Sequence, residues 1–245
     1  MAPERLRGGD ATQLAVEAPL VASRTDDPSA PPAVGSGRLY AAVDLGTNSC
    51  RMLIARPKGS QFIVMDSFSK TVQLGAGLEA SGRLSRASMG RTMQALRICQ
   101  KKIEQLGVTR MRLVATEACR RARNAKEFMR QVRRETGLTV EIIAAEEEAR
   151  LAVISCAPLV KPDTEQLLVV DIGGGSTELV WVDLSGVVPE DRAHAIMRLH
   201  RGFQPLPEGG ARVVDWISVP LGVATLKDQF ADVEDDAARF ALMSW

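Results

Sequence analysis

The chain has 245 residues, 45% hydrophobic and 25% charged, enough apolar material for one large or two modest domains with cores of their own. Its 31 Lys and Arg against 30 Asp and Glu leave a formal charge of +1, so overall charge argues for no polyanionic partner and only local clusters can. Cys50, Cys99, Cys119 and Cys156 lack CxxC spacing and His neighbours, which speaks against zinc and disulfides and for a reducing cytoplasm; no apolar run approaches the roughly 20 residues that span a bilayer, and the start of the chain, with Glu4 and Asp10, holds no signal-peptide core.

Residues 1–37 mix Pro, Gly, Ser, Ala and Asp without periodicity and read as a disordered tail. Order begins at Arg38: a strand over Leu39–Asp44, a turn at Gly46–Ser49, a strand over Cys50–Ala55 and a third near Phe62–Phe68. Ser85 caps a helix to Leu106, with Met89, Met93, Leu96, Ile103 and Leu106 on one stripe and Gly107 as its stop. A strand follows over Met111–Ala115, then a helix capped by Asn124, carrying Phe128 and Val132 and ended by Gly137, then a strand over Leu138–Ile143. The next helix starts near Glu146 and runs towards Pro158; Glu146, Glu147 and Glu148 suit its first turn through the helix dipole whether or not they have a function. After a linker at Lys161–Glu165, the apolar run Leu167–Val170 leads through Asp171 and three glycines into a second strand. Residues 184–212, rich in Pro, Gly and Arg, read as a loop or insertion before a strand at Val213–Val219 and a helix at Ala224–Phe230. The terminal stretch Asp235–Trp245 is amphipathic. Alternating strands and helices make the chain α/β with mixed sheets.

The pattern Val-Asp-aliphatic-Gly-x-x-Ser followed by a strand occurs twice, in VDLGTNSCRMLI from Val43 and in VDIGGGSTELVW from Val170, 127 residues apart. Gly173, Gly174 and Gly175 carry no Cβ and can take positive φ, so their amides can crowd around an anion. Asp171 and Glu178 lie at one mouth of this turn, where a hard divalent cation could bridge them to a phosphate. Two such hairpins, each starting a domain, resemble the duplicated actin-like (ribonuclease H-like) architecture shared by actin, chaperone ATPases and sugar kinases, which holds a phosphate between its halves. The first domain would then run over 38–160 and the second over 161–245. The second, with much of its length in 184–212, reads as incomplete.

Five ordered stretches sharpen the resemblance: VDLGTNSCRMLIA at 43–55, ATEACRRARNAKEF at 115–128, EIIAAEEEARLA at 141–152, VVDIGGGSTELV at 169–180 and ISVPLGVATLKDQF at 217–230. Together they resemble the exopolyphosphatase and guanosine pentaphosphate phosphohydrolase (Ppx/GppA) family. The resemblance implies Mg²⁺-dependent hydrolysis of a terminal phosphoanhydride in inorganic polyphosphate or pppGpp. It implies Glu148 as the catalytic residue, Asp171 and Glu178 as metal ligands, and two phosphate loops, Asp44, Gly46, Thr47, Asn48 and Ser49 in the first domain and Gly173, Gly174, Gly175 and Ser176 in the second. Arg120 would face the anionic substrate, and the full-length protein would be a homodimer. The insertion near 184–212 and the lack of a later Gly-Gly-Thr loop depart from the family's pattern.

The chemistry is consistent with those residues taken alone. Phosphoanhydride hydrolysis needs its charge neutralised and a water held in line, which a carboxylate can orient. The dipole at a helix start should keep Glu148 ionised with a lowered pKa, so that it positions water rather than acting as a strong base. Arg110, Arg112, Arg120, Arg121, Arg123, Lys126, Arg130, Arg133 and Arg134, against Glu117 and Glu127 alone, form a basic run that suits a chain of phosphates or a solvated helix face. Few aromatics and no recognised module argue against nucleic acid. An ATP-dependent kinase or ATPase of the same architecture and a non-catalytic guanosine-polyphosphate sensor are the alternatives.

Overall fold

In the computed structural model, residues 37–59, 61–203, 209–230, 233 and 235 are described. Apart from Gly37 and Asp235, the tail read over 1–37 and the amphipathic stretch 235–245 lie outside them.

The first sheet starts with β1 (Tyr40–Leu45), whose strict alternation points Ala41, Val43 and Leu45 into the core. It pairs antiparallel with β2 (Ser49–Lys58), which pairs antiparallel with β3 (Gln61–Thr71). After the short helix α1 (Leu78–Ser81) comes α2 (Arg86–Gln105). Its expected cap is in place: Ser85 Oγ accepts from the Ser88 N–H at 3.1 Å. Strand β4 (Arg110–Ala115) lies parallel to β1, which makes this sheet mixed. Helices α3 (Glu117–Arg121) and α4 (Ala125–Thr136) follow, and Leu96, Cys99, Phe128 and Val132 from α2 and α4 seal the sheet's inner face. Phe128, 1% exposed, anchors this layer, and truncating such a ring costs about 3–5 kcal/mol.

Two local expectations change. Asn124 stands at the N-cap of α4, but its side chain makes no cap bond; Oδ1 accepts from Leu84 N–H at 2.8 Å and Nδ2 donates to Leu84 carbonyl at 3.0 Å. Its amide matches a backbone pair 40 positions earlier in the chain better than a single orphan donor of its own helix. The strand expected over Leu138–Ile143 shrinks to β5 (Glu141–Ile142), parallel to β4. Gly137, with φ 70°, turns the chain at the end of α4, and Leu138 donates to Thr136 Oγ1 instead of to a ladder. The sheet order is β3-β2-β1-β4-β5.

Helix α5 (Ala145–Ser155) leaves the first sheet at β5 and packs Ala149 and Val153 into a second core. The boundary read at residue 160 therefore falls after a helix whose apolar stripe belongs to the second lobe. That lobe is built on β6 (Gln166–Ile172), β7 (Thr177–Asp183) and β8 (Arg212–Val219), in the order β6-β7-β8. Both pairings are antiparallel, so the mixed sheet expected in each half occurs, among the described residues, only in the first. The described part of the stretch read as a loop or insertion is more than a loop: it holds α6 (Arg192–Met197), and Leu184, Val187, Ile196 and Leu199 are buried against Val169, Val180 and Val182. Arg150 Nη1 ties this segment to α5 by donating to Leu199 carbonyl at 2.8 Å. Helix α7 (Val223–Gln229) closes the described part. No helix among the described residues is long and apolar enough to cross a membrane.

Candidate functional site

The two Val-Asp-aliphatic-Gly-x-x-Ser copies fold alike. Gly46 N–H donates to Ser49 carbonyl at 2.9 Å, and Gly173 N–H donates to Ser176 carbonyl at 2.9 Å. In each hairpin the ladder sets a long polar side chain opposite the aspartate, Arg51 opposite Asp44 and Glu178 opposite Asp171. The loops lie against each other. A Cβ added to Gly174 would stand 3.1 Å from Asn48 Cβ and 3.2 Å from Asn48 N, and one added to Gly175 would run into Thr47. These glycines are needed for that close approach; none of Gly173, Gly174 and Gly175 takes the positive φ that the sequence suggested.

Backbone carbonyls hold both loops. Thr47 carbonyl accepts from Gly75 N–H at 2.9 Å, and Asn48 carbonyl accepts from Val72 and Gln73 N–H at 2.8 and 2.9 Å. On the other side the first amides of α7, at Val223 and Ala224, donate to Gly173 and Gly174 carbonyls at 3.0 and 2.8 Å. Gly222 makes that docking possible, since a Cβ there would fall 2.5 Å from Gly174 C and Gly175 N.

Between the loops opens a cavity of about 690 Å³, lined by Asp44, Gly46, Thr47, Asn48, Ser49, Asp171, the Gly173–Ser176 loop and Glu148. Of the metal, phosphate and catalytic residues that the resemblance implies, Glu178 and Arg120 do not line it. Glu178 is 1% exposed and accepts from Ser218 Oγ at 2.7 Å. Arg120, expected to face the anion, turns its donors to protein: Nη2 to Glu117 at 2.8 Å, Nη1 to Ile143 carbonyl at 3.1 Å and to Glu148 Oε2 at 2.7 Å. Its position at the end of α3, beside the start of α5, leaves carboxylates nearer than the cavity. Within the basic run, Arg112 is paired to Glu141 and Glu147, and Arg121 to Glu79.

Glu148 stands in the first turn of α5, where that helix crosses from one lobe to the other. Its pKa is raised to about 7, chiefly by burial; Arg120 opposes the shift, and the charges of Glu178 and Asp44 add to it. This reverses the expectation of a lowered value, because desolvation outweighs a dipole worth at most about 2 kcal/mol in a partly buried site. Asp44 is also raised, by desolvation between the hairpins against Arg51 and with help from Asp171. Neighbouring Glu147 behaves oppositely: Arg150 at 2.7 Å and Arg112 at 3.0 Å hold it down to about 2.

Sequence reasoning missed several lining residues, among them Arg51, Gln73, Thr116, Glu117, Lys227 and Asp228. Arg51 was within reach, since strand alternation puts it on the face of Asp171's counterpart, Asp44. Gln73 and Lys227 carry no signal in a single sequence. Thr47 Oγ1 is buried without a hydrogen-bond partner in the wall of the cavity.

The Ppx/GppA phosphatase family model matches residues 53–240. The Aquifex aeolicus PPX-GPPA enzyme is 34% identical, with a TM-score of 0.58 over 79% of this chain and 56% of its own. An exopolyphosphatase-like protein is 27% identical, with a TM-score of 0.62 over 80% of this chain and 54% of its own. An exopolyphosphatase from Cytophaga hutchinsonii, 18% identical at a TM-score of 0.61, shares the fold over 85% of this chain and 64% of its own. The chain thus spans a little over half the length of the relatives it matches first. Its α/β architecture is the actin-like one, and by sequence and structure it belongs to the Ppx/GppA phosphatase family.

Proposed function

We propose that this site hydrolyses the terminal phosphoanhydride of inorganic polyphosphate or of pppGpp. The observation that carries the reading is the Glu148 carboxylate at the floor of a cavity walled by two glycine hairpins, fixed by Arg120 at 2.7 Å. Amides of the Gly173–Ser176 loop, with Thr47, Asn48 and Ser49 opposite, cradle the terminal phosphate. Glu148 accepts a hydrogen bond from the attacking water and takes its proton as the bond to phosphorus forms and the terminal P–O–P bond breaks in line with it, which releases orthophosphate and leaves the bridging oxygen on the shortened phosphate chain. A pKa near 7 lets it do so at neutral pH and pass the proton on.

The cavity's charge fits a divalent cation. Five carboxylates line it, Asp44, Glu117, Glu148, Asp171 and Asp228, against two cations, Arg51 and Lys227, so a bare polyphosphate would meet a negative wall. Mg²⁺ keeps several waters and draws other ligands from phosphate, so one or two carboxylates are enough to hold it beside the substrate. Asp171 would hold it, with Glu178 directly across the ladder. When bound, Mg²⁺ neutralises phosphate oxygens and polarises the anhydride. The same reading includes a cytoplasmic setting and a homodimer for the full-length protein, with neither nucleic acid nor membrane as partner.

Phosphate release from polyphosphate and from pppGpp, with Mg²⁺ and no other nucleotide, tests it in the wild type, Glu148→Gln and Asp171→Asn/Glu178→Gln. Turnover that falls at least about 10²-fold in Glu148→Gln and loses its Mg²⁺ dependence in the double variant supports the reading. Unchanged turnover in Glu148→Gln overturns it. Tight binding of either substrate without turnover would mark a guanosine-polyphosphate or polyphosphate sensor, and a requirement for ATP a kinase.

A further inference from the structure

We propose that Gln73 and Lys227, which line the cavity from opposite lobes, form a second phosphate subsite at its mouth that holds the phosphate next to the terminal one and selects linear phosphate chains over single phosphates. This rests on the phosphate-binding reading above and adds a residue-level account of substrate class to it.

Gln73 is held in a conformation that costs energy. Its φ is 50°, in the left-handed region that glutamine rarely adopts. Three bonds keep it there: Gln73 N–H donates to Asn48 carbonyl at 2.9 Å, Arg91 Nε donates to Val72 carbonyl at 2.8 Å, and Arg91 Nη2 donates to Gln73 carbonyl at 3.3 Å. Glycine would take this backbone without strain, and the chain uses glycine for that purpose four residues later, at Gly77 with φ 72°. A strained side chain that lines a ligand cavity, and whose backbone is bonded to the first phosphate loop, is held there for its amide.

Lys227 is registered just as firmly. Its helix is docked through the amides of Val223 and Ala224 on the carbonyls of the glycine loop, and its neighbour Asp228 accepts from Gly77 N–H of the other lobe at 3.3 Å. Lys227 therefore stands about one helical turn from the loop, at the seam between lobes, where it lines the cavity. Arg51, the cavity's other cation, faces Asp44 across the ladder and opposes the rise that burial causes in its pKa, so part of its charge is already used. Lys227 and Gln73 are exposed, whereas Glu148 keeps 19% of its side chain accessible, which sets the pair at the rim and the carboxylate at the floor. An ammonium and a carboxamide together offer up to five N–H donors and suit the non-bridging oxygens of an internal phosphate.

The test is calorimetric titration of the 245-residue chain with tripolyphosphate and, separately, orthophosphate in Mg²⁺. Lys227→Met should weaken tripolyphosphate binding about tenfold, lower the slope of log Kd against log salt by about one, and leave orthophosphate binding unchanged. Gln73→Gly should weaken tripolyphosphate binding in the same selective way while Tm stays level or rises, a combination that a purely structural glutamine would not show. Equal losses for both ligands, or none, overturn the subsite while leaving the phosphate site standing. A wild type that binds neither ligand overturns both.

Discussion

Arg120 Nη1 and Glu148 Oε2 lie 2.7 Å apart, and this pair joins the first lobe to the helix that carries the proposed water-orienting carboxylate. Both side chains are largely buried, at 17% and 19% exposed, and Glu117 and Ile143 carbonyl accept from three more of the guanidinium's N–H groups. Removing the cation should therefore leave Glu148 facing its burial and the charges of Glu178 and Asp44 without opposition. In Arg120→Met the Glu148 carboxyl should titrate above the wild-type value of about 7, read by ¹³C NMR of the carboxyl without added divalent cation. A value at or below that of the wild type would mean that the pair does not set the carboxylate's charge.

The same shift has a stability counterpart. Glu148 has a folded pKa of about 7 against 4.5 for the ordinary group, so the folded state binds the proton more tightly. Its contribution is fully present below pH 4.5 and is lost as pH rises through about 7, amounting to at most about 3 kcal/mol. Glu148→Gln should flatten that loss, so that urea unfolding at pH 8 shows the variant at least as stable as wild type even though the proposed turnover falls.

Glu147 should show the reverse. Held near 2 by Arg150 and Arg112, it contributes stability above pH 4.5 that disappears as pH falls towards 2. It also ties β4 to α5, so Glu147→Gln should lower Tm measurably at pH 7 and leave phosphate binding within twofold, with wild type and variant converging near pH 2.

Thr47 Oγ1 donates to no protein group, so its replacement by a near-isosteric apolar residue breaks no hydrogen bond of the fold. Thr47→Val should keep or raise Tm while weakening phosphate binding several-fold. Loss of stability without loss of binding would place the hydroxyl in the packing rather than in the anion site.

Gly222 and Gly90 offer a paired test of the docked loop. A Cβ at Gly222 collides with backbone at 2.5 Å, whereas one at Gly90, within α2, meets nothing within 4 Å. Gly222→Ala should cost about 1–3 kcal/mol and loosen α7 from the glycine loop. Gly90→Ala should stabilise by up to about 1 kcal/mol, both read from chemical denaturation.

The order of the strands and of the longer helices, both hairpins and the two loops that wall the cavity were legible in the chain itself, though much of the remaining lining was not. These features rest on local rules: two-residue alternation, a serine cap at Ser85, glycine stops and a motif whose copies carry the same bond, Gly46 to Ser49 and Gly173 to Ser176. What the same residues face was not local. Val43 and Val170 hold equivalent places in the two copies, yet one is 2% and the other 50% exposed, because α2 and α4 cover the first strand on that face while α5 and α6 lie on the other face of the second. For the same reason the charge on Glu148, the inward commitment of Arg120, the use of Leu184, Val187, Ile196 and Leu199 as core and the strained placing of Gln73 emerged only with the tertiary structure. Desolvation and ion pairing depend on which segments meet, and those segments stand tens of residues apart in the chain.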